Sequence, residues 1–290
     1  MKTGDLVIHP GIPSLGIGII LRVNKGSDGE LTAYTRWDNS PAKGYKAAFL
    51  QLAPPGTPIP EKFLQPFDEA LNKKSTSFDG LVKRFLQKYP ESFYDPAYLQ
   101  DERDYKVNAS VYFASIRSAG QIASLLGQER FSEIVSLALE VFGPKHTNLL
   151  YPKFDGDYPR LKKGLDAQTT HELFARSLHG LLASSADTQA AFDEYATMLD
   201  EIGADTWPNA TIPLFLADYE NYVFVKPTIF LATAELCDYR IDCSRPITWK
   251  KYRAILDFCS HLKTKLARDW NIHARDMIDV QSFIYVASTD

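Results

Sequence analysis

The chain lacks several features that would place it in a protein class at once. It has three cysteines, Cys237, Cys243 and Cys259, with no CxxC pair and no disulfide framework, so we expect reduced thiols. No stretch approaches the run of about 18 apolar residues that a membrane helix requires. Residues 1 to 5 already include charged side chains, without the apolar core of a signal peptide. Together these absences predict a cytoplasmic protein that makes no membrane contact.

Common catalytic and cofactor motifs are also missing. The sequence has no GxxxxGK[ST], GxGxxG, GxSxG or HExxH motif. The separation of Cys237 and Cys243 does not match the usual spacing of zinc ligands. We therefore expect no cofactor and no metal, and we favour a non-enzymatic protein. An enzyme stays open as an alternative, because a site dispersed along the chain leaves no local motif.

The overall charge gives no strong attraction to nucleic acid. The 32 Lys and Arg residues are outnumbered by 36 Asp and Glu residues, which leaves a formal net charge of −4. Binding to phosphates would then depend on local basic clusters rather than on the whole surface.

The first 54 residues have the rhythm of short strands separated by turns. Runs rich in β-branched and aromatic residues alternate with Gly, Pro, Asn and Asp. This pattern predicts strands at 6–8, 18–23, 31–37 and 45–52, with a hairpin turn at 27–30. A flat sheet of this size would leave one apolar face and two edges open. We therefore predict a small all-β barrel of the SH3-like or Tudor-like kind.

One sequence run in this segment carries a family resemblance. From Gly4 to Gly18 the chain reads GDxVxHPxxPxxGxG, and WDN follows at residues 37–39. This run resembles the small barrel of the DUF3553 type and, distantly, the RNA-polymerase-interacting barrel of CarD-like proteins. The resemblance implies docking near DNA or its enzymes. It departs at Leu15, where the first family tends to have tryptophan, and no polymerase-contact motif carries over.

A proline-rich segment follows and the pattern then becomes helical. Residues 53–66 contain five prolines, which indicates a semi-rigid linker. We place domains at 1–54 (barrel) and 67–290 (helical), joined by a linker at 55–66. The whole chain is then mainly α with a small N-terminal barrel, an α+β multidomain protein. An apolar spacing near 3.6 predicts helices at 67–71, 78–89, 96–126, 129–142, 169–183, 187–202, 207–217, 227–236, 247–269 and 275–287.

The helical body carries a looser resemblance. The runs FVKP at 224–227 and DMIDVQSF at 276–283 resemble the helical part of uncharacterised bacterial proteins. The resemblance implies no activity and indicates only that the body is one unit.

Two regions are candidates for binding nucleic acid or a partner. Residues 250–268 contain six Lys or Arg residues and one acidic residue, Asp257, and the cations lie opposite an apolar stripe. The alternative is a solvated basic helix paired with acidic neighbours. The barrel is mildly basic, and Trp37 is either a stacking surface or part of the core. The candidate residues are Arg36, Trp37, Lys46, Lys250, Arg253, Lys265 and Arg268.

A second candidate site lies in the longest irregular stretch, 143–166. Lys145, His146 and Asn148 offer a cation, an imidazole and an amide within a few residues, and Lys226 is set between apolar residues and a proline. Alternatively, His146 is solvated, Asn148 caps a turn and Lys226 extends its stem along apolar surface.

The segment from Glu102 to Lys106 is the third cluster of charge. Its ends have the i,i+4 spacing of a surface ion pair, which is the interpretation we favour over Asp104 as a base.

These observations lead to three hypotheses. The first is a non-enzymatic protein that binds DNA or docks onto a DNA-processing or transcription complex through the barrel and the basic C-terminal helix. The second is an enzyme or effector with a site around the 143–166 loop. The third is a protein–protein adaptor, for instance in bacterial defence.

Overall fold

The computed structural model describes residues 1–25, 30–40, 42–60, 63, 77–118, 120–153, 156–183 and 187–289. The chain divides into two compact units, Met1–Ser75 with Asp290, and Thr76–Thr289. Each unit buries its own core. The helix predicted at 67–71 and most of the turn predicted at 27–30 lie outside the described residues.

The N-terminal unit is a small antiparallel sheet. Its strands are β1 (Leu6–Ile8), β2 (Gly18–Lys25), β3 (Leu31–Trp37), β4 (Lys43–Lys46) and β5 (Gln51–Leu52), in the order β4-β3-β2-β1-β5. Among the described residues the edge strands β4 and β5 do not pair with each other, so the sheet stays open. The pairing of β2 with β3 is irregular between Ile20 and Arg22. The single strand predicted at 45–52 is wrong, because the 3₁₀ helix Ala47–Phe49 divides it.

The core of this unit is built around Trp37. The indole is fully buried with Val7 and Ile20, and Gly18 makes room for it: a Cβ at Gly18 would lie 2.8 Å from the Trp37 ring. Because the ring is enclosed, Trp37 offers no surface for stacking on a base. The prediction of Trp37 as a binding residue is therefore wrong, and the alternative, that Trp37 is part of the core, is confirmed.

The C-terminal unit is helical. Its main helices are α1 (Phe78–Lys88), α2 (Asp104–Ser118), α3 (Gln121–Gly127), α4 (Phe131–Phe142), α5 (Asp157–Gly164), α6 (His171–Ala183), α7 (Thr188–Glu201), α8 (Trp207–Ala217), α9 (Pro227–Leu236), α10 (Trp249–Trp270) and α11 (Met277–Thr289). A helical turn, Pro96–Tyr98, and a π-helical turn, Leu99–Arg103, lead directly into α2. The mainly helical architecture predicted from the apolar spacing is confirmed.

Local capping explains where several helices begin. The side chains of Asp95, Asp187 and Thr206 accept hydrogen bonds from backbone N–H groups in the first turns that follow them. Two predicted elements differ from the structure. The helix predicted at 96–126 breaks at Gly120, whose φ of 63° is in the left-handed region that favours glycine. The irregular stretch predicted at 143–166 contains α5.

Two helices form the centre of this unit. Most residues of α8 and α11 are buried; α8 is apolar on nearly every side, whereas α11 also buries the polar side chains Asp279, Gln281 and Ser282. Within the described residues, no helix combines the length and the apolar character needed to cross a membrane.

Candidate ligand pocket in the helical unit

A cavity of about 500 Å³ lies beside the first turns of α8 and α9. Its volume falls within the range of about 300 to 1,000 Å³ that is usual for ligand pockets. Trp207 begins α8, Ile229 lies in the first turn of α9, and Tyr285 reaches the cavity from α11. The stretch 143–166 contributes Tyr151 and Asp157. This cavity combines an apolar and aromatic wall with a few charged groups.

A second cavity, of about 140 Å³, adjoins the first. Lys226 and Tyr285 line both spaces, so these two side chains lie between the cavities. The walls of the smaller cavity are polar. They are formed by Asp101, Glu102, Tyr105, Asn148, Leu149, Lys226, Gln281 and Tyr285. We call the two spaces the apolar chamber and the polar chamber.

Lys226 lies between the two chambers. It is the N-cap residue of α9, and Pro227 is the first helical residue after it. Its ammonium group lies 4.9 Å from the centre of the Tyr285 ring, which is a cation–π contact. Burial lowers the pKa of Lys226, and the nearby carboxylates Asp157 and Glu102 act in the opposite direction. The structure therefore holds a partly desolvated cation against both chambers.

Lys106 lies fully buried behind the polar chamber. Its Nζ donates to Oε2 of Glu102 at 3.1 Å and to Oγ of Ser282 at 2.7 Å. Burial lowers the pKa of Lys106 to about 8, although the Glu102 carboxylate raises it. The predicted i,i+4 pair is present, but its placement at the surface was wrong: Lys106 is 1 % exposed and Glu102 7 %.

Gln281 forms part of the same wall. The residue is 2 % exposed, and within the described part of the chain its Oε1 atom has no hydrogen-bond partner. Buried polar atoms are nearly always partnered, since an unmet acceptor costs about 1 to 3 kcal/mol. The Gln281 side chain also lines the polar chamber.

An ion-pair network fixes the helix that carries Gln281. Arg103, in the π-helical turn next to Glu102, donates to Asp276 at 2.6 Å and to Asp279 at 2.9 Å. Asp279 also accepts from the Tyr98 hydroxyl and from Arg275. The network thereby holds together the π-helical turn and α11, which both line the polar chamber.

The outer edge of the apolar chamber carries further polar groups. Arg245 pairs with Asp205 at 2.7 Å, and the Trp207 indole N–H donates to the backbone carbonyl of Cys243 at 2.7 Å. Burial raises the pKa of the Cys243 thiol to about 11. Cys243 is therefore a neutral thiol near pH 7 and a poor nucleophile.

The structure brings together part of the site predicted around the 143–166 loop. Asn148 and Lys226 both line the polar chamber. Lys145 instead pairs with Glu140, and the His146 ring stacks on Tyr112 with 4.2 Å between the ring centres. Neither Lys145 nor His146 lines either chamber.

The residues predicted to bind nucleic acid are mostly engaged with carboxylates or aromatic rings. On α10, Lys265 and Arg268 both pair with Asp269, which lies just beyond the segment counted in the sequence. Arg253 pairs with Asp257 at 3.4 Å. Lys250 is exposed and makes no ion pair among the described residues.

The two candidate cations of the N-terminal sheet, Lys46 and Arg36, also have partners. Lys46 pairs with Glu30 at 2.6 Å, and the Arg36 guanidinium lies 5.6 Å from the centre of the Phe63 ring. The carboxylate of Glu30 offsets the charge of Lys46, whereas the uncharged Phe63 ring leaves the charge of Arg36 in place.

Sequence reasoning missed Glu102, Gln281 and Tyr285 as pocket residues. The available signal was the run Asp279, Gln281, Ser282 inside a helix that is otherwise apolar, since buried polar side chains require partners. In the residues that the structure describes, no group of three or more His, Cys, Asp or Glu side chains is placed to hold a metal ion. The chain matches no protein-family model, no curated protein and no solved structure.

Proposed function

We propose that the helical unit binds a small organic ligand in the paired chambers, and that the protein acts by binding rather than by catalysis. The observation that carries this proposal is the apolar chamber of about 500 Å³, which shares Lys226 and Tyr285 as lining residues with the neighbouring polar chamber. Ligand sites commonly pair an apolar body with a few oriented polar groups. Here the apolar wall is formed by Trp207, Ile229 and Tyr285, and the polar groups are those of Lys226 and Asn148.

The chemistry of the lining supports binding over catalysis. Cys243 has its pKa raised to about 11, so it is a thiol rather than a thiolate near neutral pH. Lys226 is held by an aromatic ring, and the carboxylate of Glu102 is engaged by Lys106. These groups suit the orientation of a ligand.

Alkylation of Cys243 tests the pocket, because this cysteine lines the apolar chamber. At pH 8 we expect N-ethylmaleimide to react slowly, since a pKa near 11 leaves about 100-fold less thiolate than the ordinary value near 9. Benzamide, used as an aromatic probe at twice its Kd, should slow the reaction of Cys243 about threefold by occupancy alone. Mass spectrometry of the full chain gives both rates.

Cys237 is the matched control for this experiment. Its pKa is also raised to about 11 by burial, but it lies at the end of α9 and lines neither chamber. Benzamide should leave the Cys237 rate unchanged. Equal slowing of both cysteines, or no slowing of Cys243 at a saturating probe concentration, would count against the pocket.

A second candidate function is association with DNA or a DNA-processing complex. Two observations favour it: the strand order β4-β3-β2-β1-β5 with a 3₁₀ helix before β5, and the exposed cations Lys250 and Arg253 on α10. The strand order suits an SH3-like barrel, in which the last strand returns beside the first, as in the DUF3553-type and CarD-like families. Exposed pairs such as Arg253–Asp257 contribute about 0 to 1 kcal/mol, so phosphates can compete for the cation.

Salt-dependent DNA binding tests this second candidate. We expect the variant Lys250→Glu plus Arg253→Glu to reduce the slope of log K against log salt by about 2, the loss of two phosphate contacts. Lys162→Glu plus Lys163→Glu on α5 changes net charge equally at two exposed positions and should keep the slope. Identical slopes in both variants, or no binding of the wild type to duplex DNA at low salt, would rule out α10 as the contact.

A further inference from the structure

The buried acceptor of Gln281 is the starting point for the identity of the ligand. Gln281 lines the polar chamber, and its Oε1 atom is enclosed and has no partner within the described residues. Rotation of the terminal amide about its last side-chain bond can turn this acceptor toward the chamber. A bound group that donates a hydrogen bond there would satisfy an atom that otherwise costs free energy. A group that carries only acceptors would leave it unmet.

The other walls of the polar chamber are also rich in acceptors. Asp101 and Glu102 present carboxylates, and only one oxygen of Glu102 accepts from Lys106. Lys226 is the one cationic residue that lines this space among the described residues. The remaining polar lining residues carry hydroxyl or amide groups that can both donate and accept. The two accept-only carboxylates therefore outnumber the one donate-only ammonium.

The charges around the polar chamber balance. Glu102 is paired with Lys106, and the remaining lining charges are the anion Asp101 and the cation Lys226. A charged head group would upset this balance in a partly buried space, where an unpaired charge is costly. The electrostatics thus select a neutral head.

The size of the polar chamber limits the head group. Its volume of about 140 Å³ exceeds the share of about 30 Å³ that one water molecule takes in the liquid. A group of three or four heavy atoms fits, and the rest of the ligand can lie against Trp207 and Ile229 in the apolar chamber.

We infer that the ligand is a small aromatic or aliphatic molecule with a neutral head that donates hydrogen bonds, such as a primary amide or an amino-substituted heterocycle. This inference rests on the proposed function of the pocket. The head donates to Oε1 of Gln281 and accepts from Lys226, while the apolar body occupies the larger chamber.

Three probes of nearly equal shape test the inference. Benzamide carries a neutral amide, acetophenone has a methyl group in place of the amide nitrogen, and benzoate is an anion. Ligand-observed NMR titration of the full chain should give benzamide an affinity about 5- to 10-fold higher than acetophenone, the effect expected of one or two neutral hydrogen bonds. Benzoate should bind more weakly than benzamide.

The variant Gln281→Leu isolates the acceptor. Because leucine has a similar size and the replaced oxygen is unpartnered, folding should be preserved, which a thermal melt checks. We expect Q281L to reduce the affinity for benzamide to that for acetophenone and to leave acetophenone binding unchanged.

The outcomes separate the two levels of the proposal. If none of the three probes binds to the wild type or protects Cys243, the proposed ligand pocket is overturned together with the inference. If acetophenone or benzoate binds as tightly as benzamide, or if Q281L leaves benzamide binding unchanged, the pocket stands and the donor head is overturned.

Discussion

Replacing Glu102 by leucine should destabilise the protein in a strongly pH-dependent manner. The substitution leaves the Lys106 ammonium buried with Ser282 as its remaining hydrogen-bond partner. At pH 5 we expect a loss of about 4 kcal/mol in the free energy of unfolding, in the range known for breaking a buried pair. Denaturant unfolding of E102L and of the wild type, monitored by circular dichroism, measures this difference.

The pH dependence arises because the buried Lys106 ammonium can lose its proton. In the wild-type fold Lys106 has a pKa of about 8, below its ordinary value of 10.5, so its burial cost is present in full below pH 8 and is relieved as pH rises further. Without Glu102, which raises this pKa, the neutral form is populated at lower pH. At pH 7, which is one unit below the wild-type Lys106 pKa of about 8, the loss of unfolding free energy in E102L should therefore be only about 1 kcal/mol. Above about pH 8 this loss should stay constant.

The double variant Glu102→Leu plus Lys106→Met is the control. It removes both charges, and hydrophobic replacement of a buried pair is usually neutral or stabilising. We expect its stability to lie within about 1 kcal/mol of the wild type at both pH 5 and pH 7. A defect of E102L that is the same at both pH values would contradict the burial of a charged Lys106.

The variant Arg103→Met is expected to lower the free energy of unfolding by about 3 kcal/mol. It removes the guanidinium that donates to Asp276 and Asp279, whose side chains are 3 % and 0 % exposed. The loss should lie at the lower end of the range for broken buried pairs, because Arg275 still donates to Asp279. A thermal melt should show a Tm lower by about 6 to 12 °C.

An exposed arginine provides the comparison for R103M. Arg130 pairs with Glu133 in one helical turn, and both side chains are about half exposed. Arg130→Met should change stability by less than about 1 kcal/mol. If R103M were equally mild, the network could not be the element that holds α11 against the π-helical turn.

Helices in this chain follow from local sequence more completely than the sheet does. The apolar spacing of 78–88 and 249–270 and the cap of α8 at Thr206 act within a few residues, so the sequence predicts these three helices almost to their ends. The division of the last strand by the 3₁₀ helix Ala47–Phe49 depends on how β5 pairs with β1, more than 40 residues earlier. Local patterns do not contain that pairing.

The pocket was harder to predict because its parts are distant in sequence. Lys106 and Ser282 are separated by 176 residues, and the i,i+4 spacing of Glu102 and Lys106 is the same for an exposed pair as for a buried one. Burial is decided by α11, which packs over the π-helical turn. The sequence predicts Lys226 and Asn148 as site residues, whereas the unpartnered acceptor of Gln281 is visible only in the folded structure.

The location of a bound probe tests the ligand pocket most directly. Crystals of the full chain soaked in benzamide should show the phenyl ring between Trp207, Ile229 and Tyr285 and the amide in the polar chamber against Gln281. We expect this pose in the wild type and its loss in a crystal of Gln281→Leu plus Lys226→Met soaked in the same way. Benzamide bound only elsewhere on the chain, or empty chambers in the wild type at saturating probe, would contradict it.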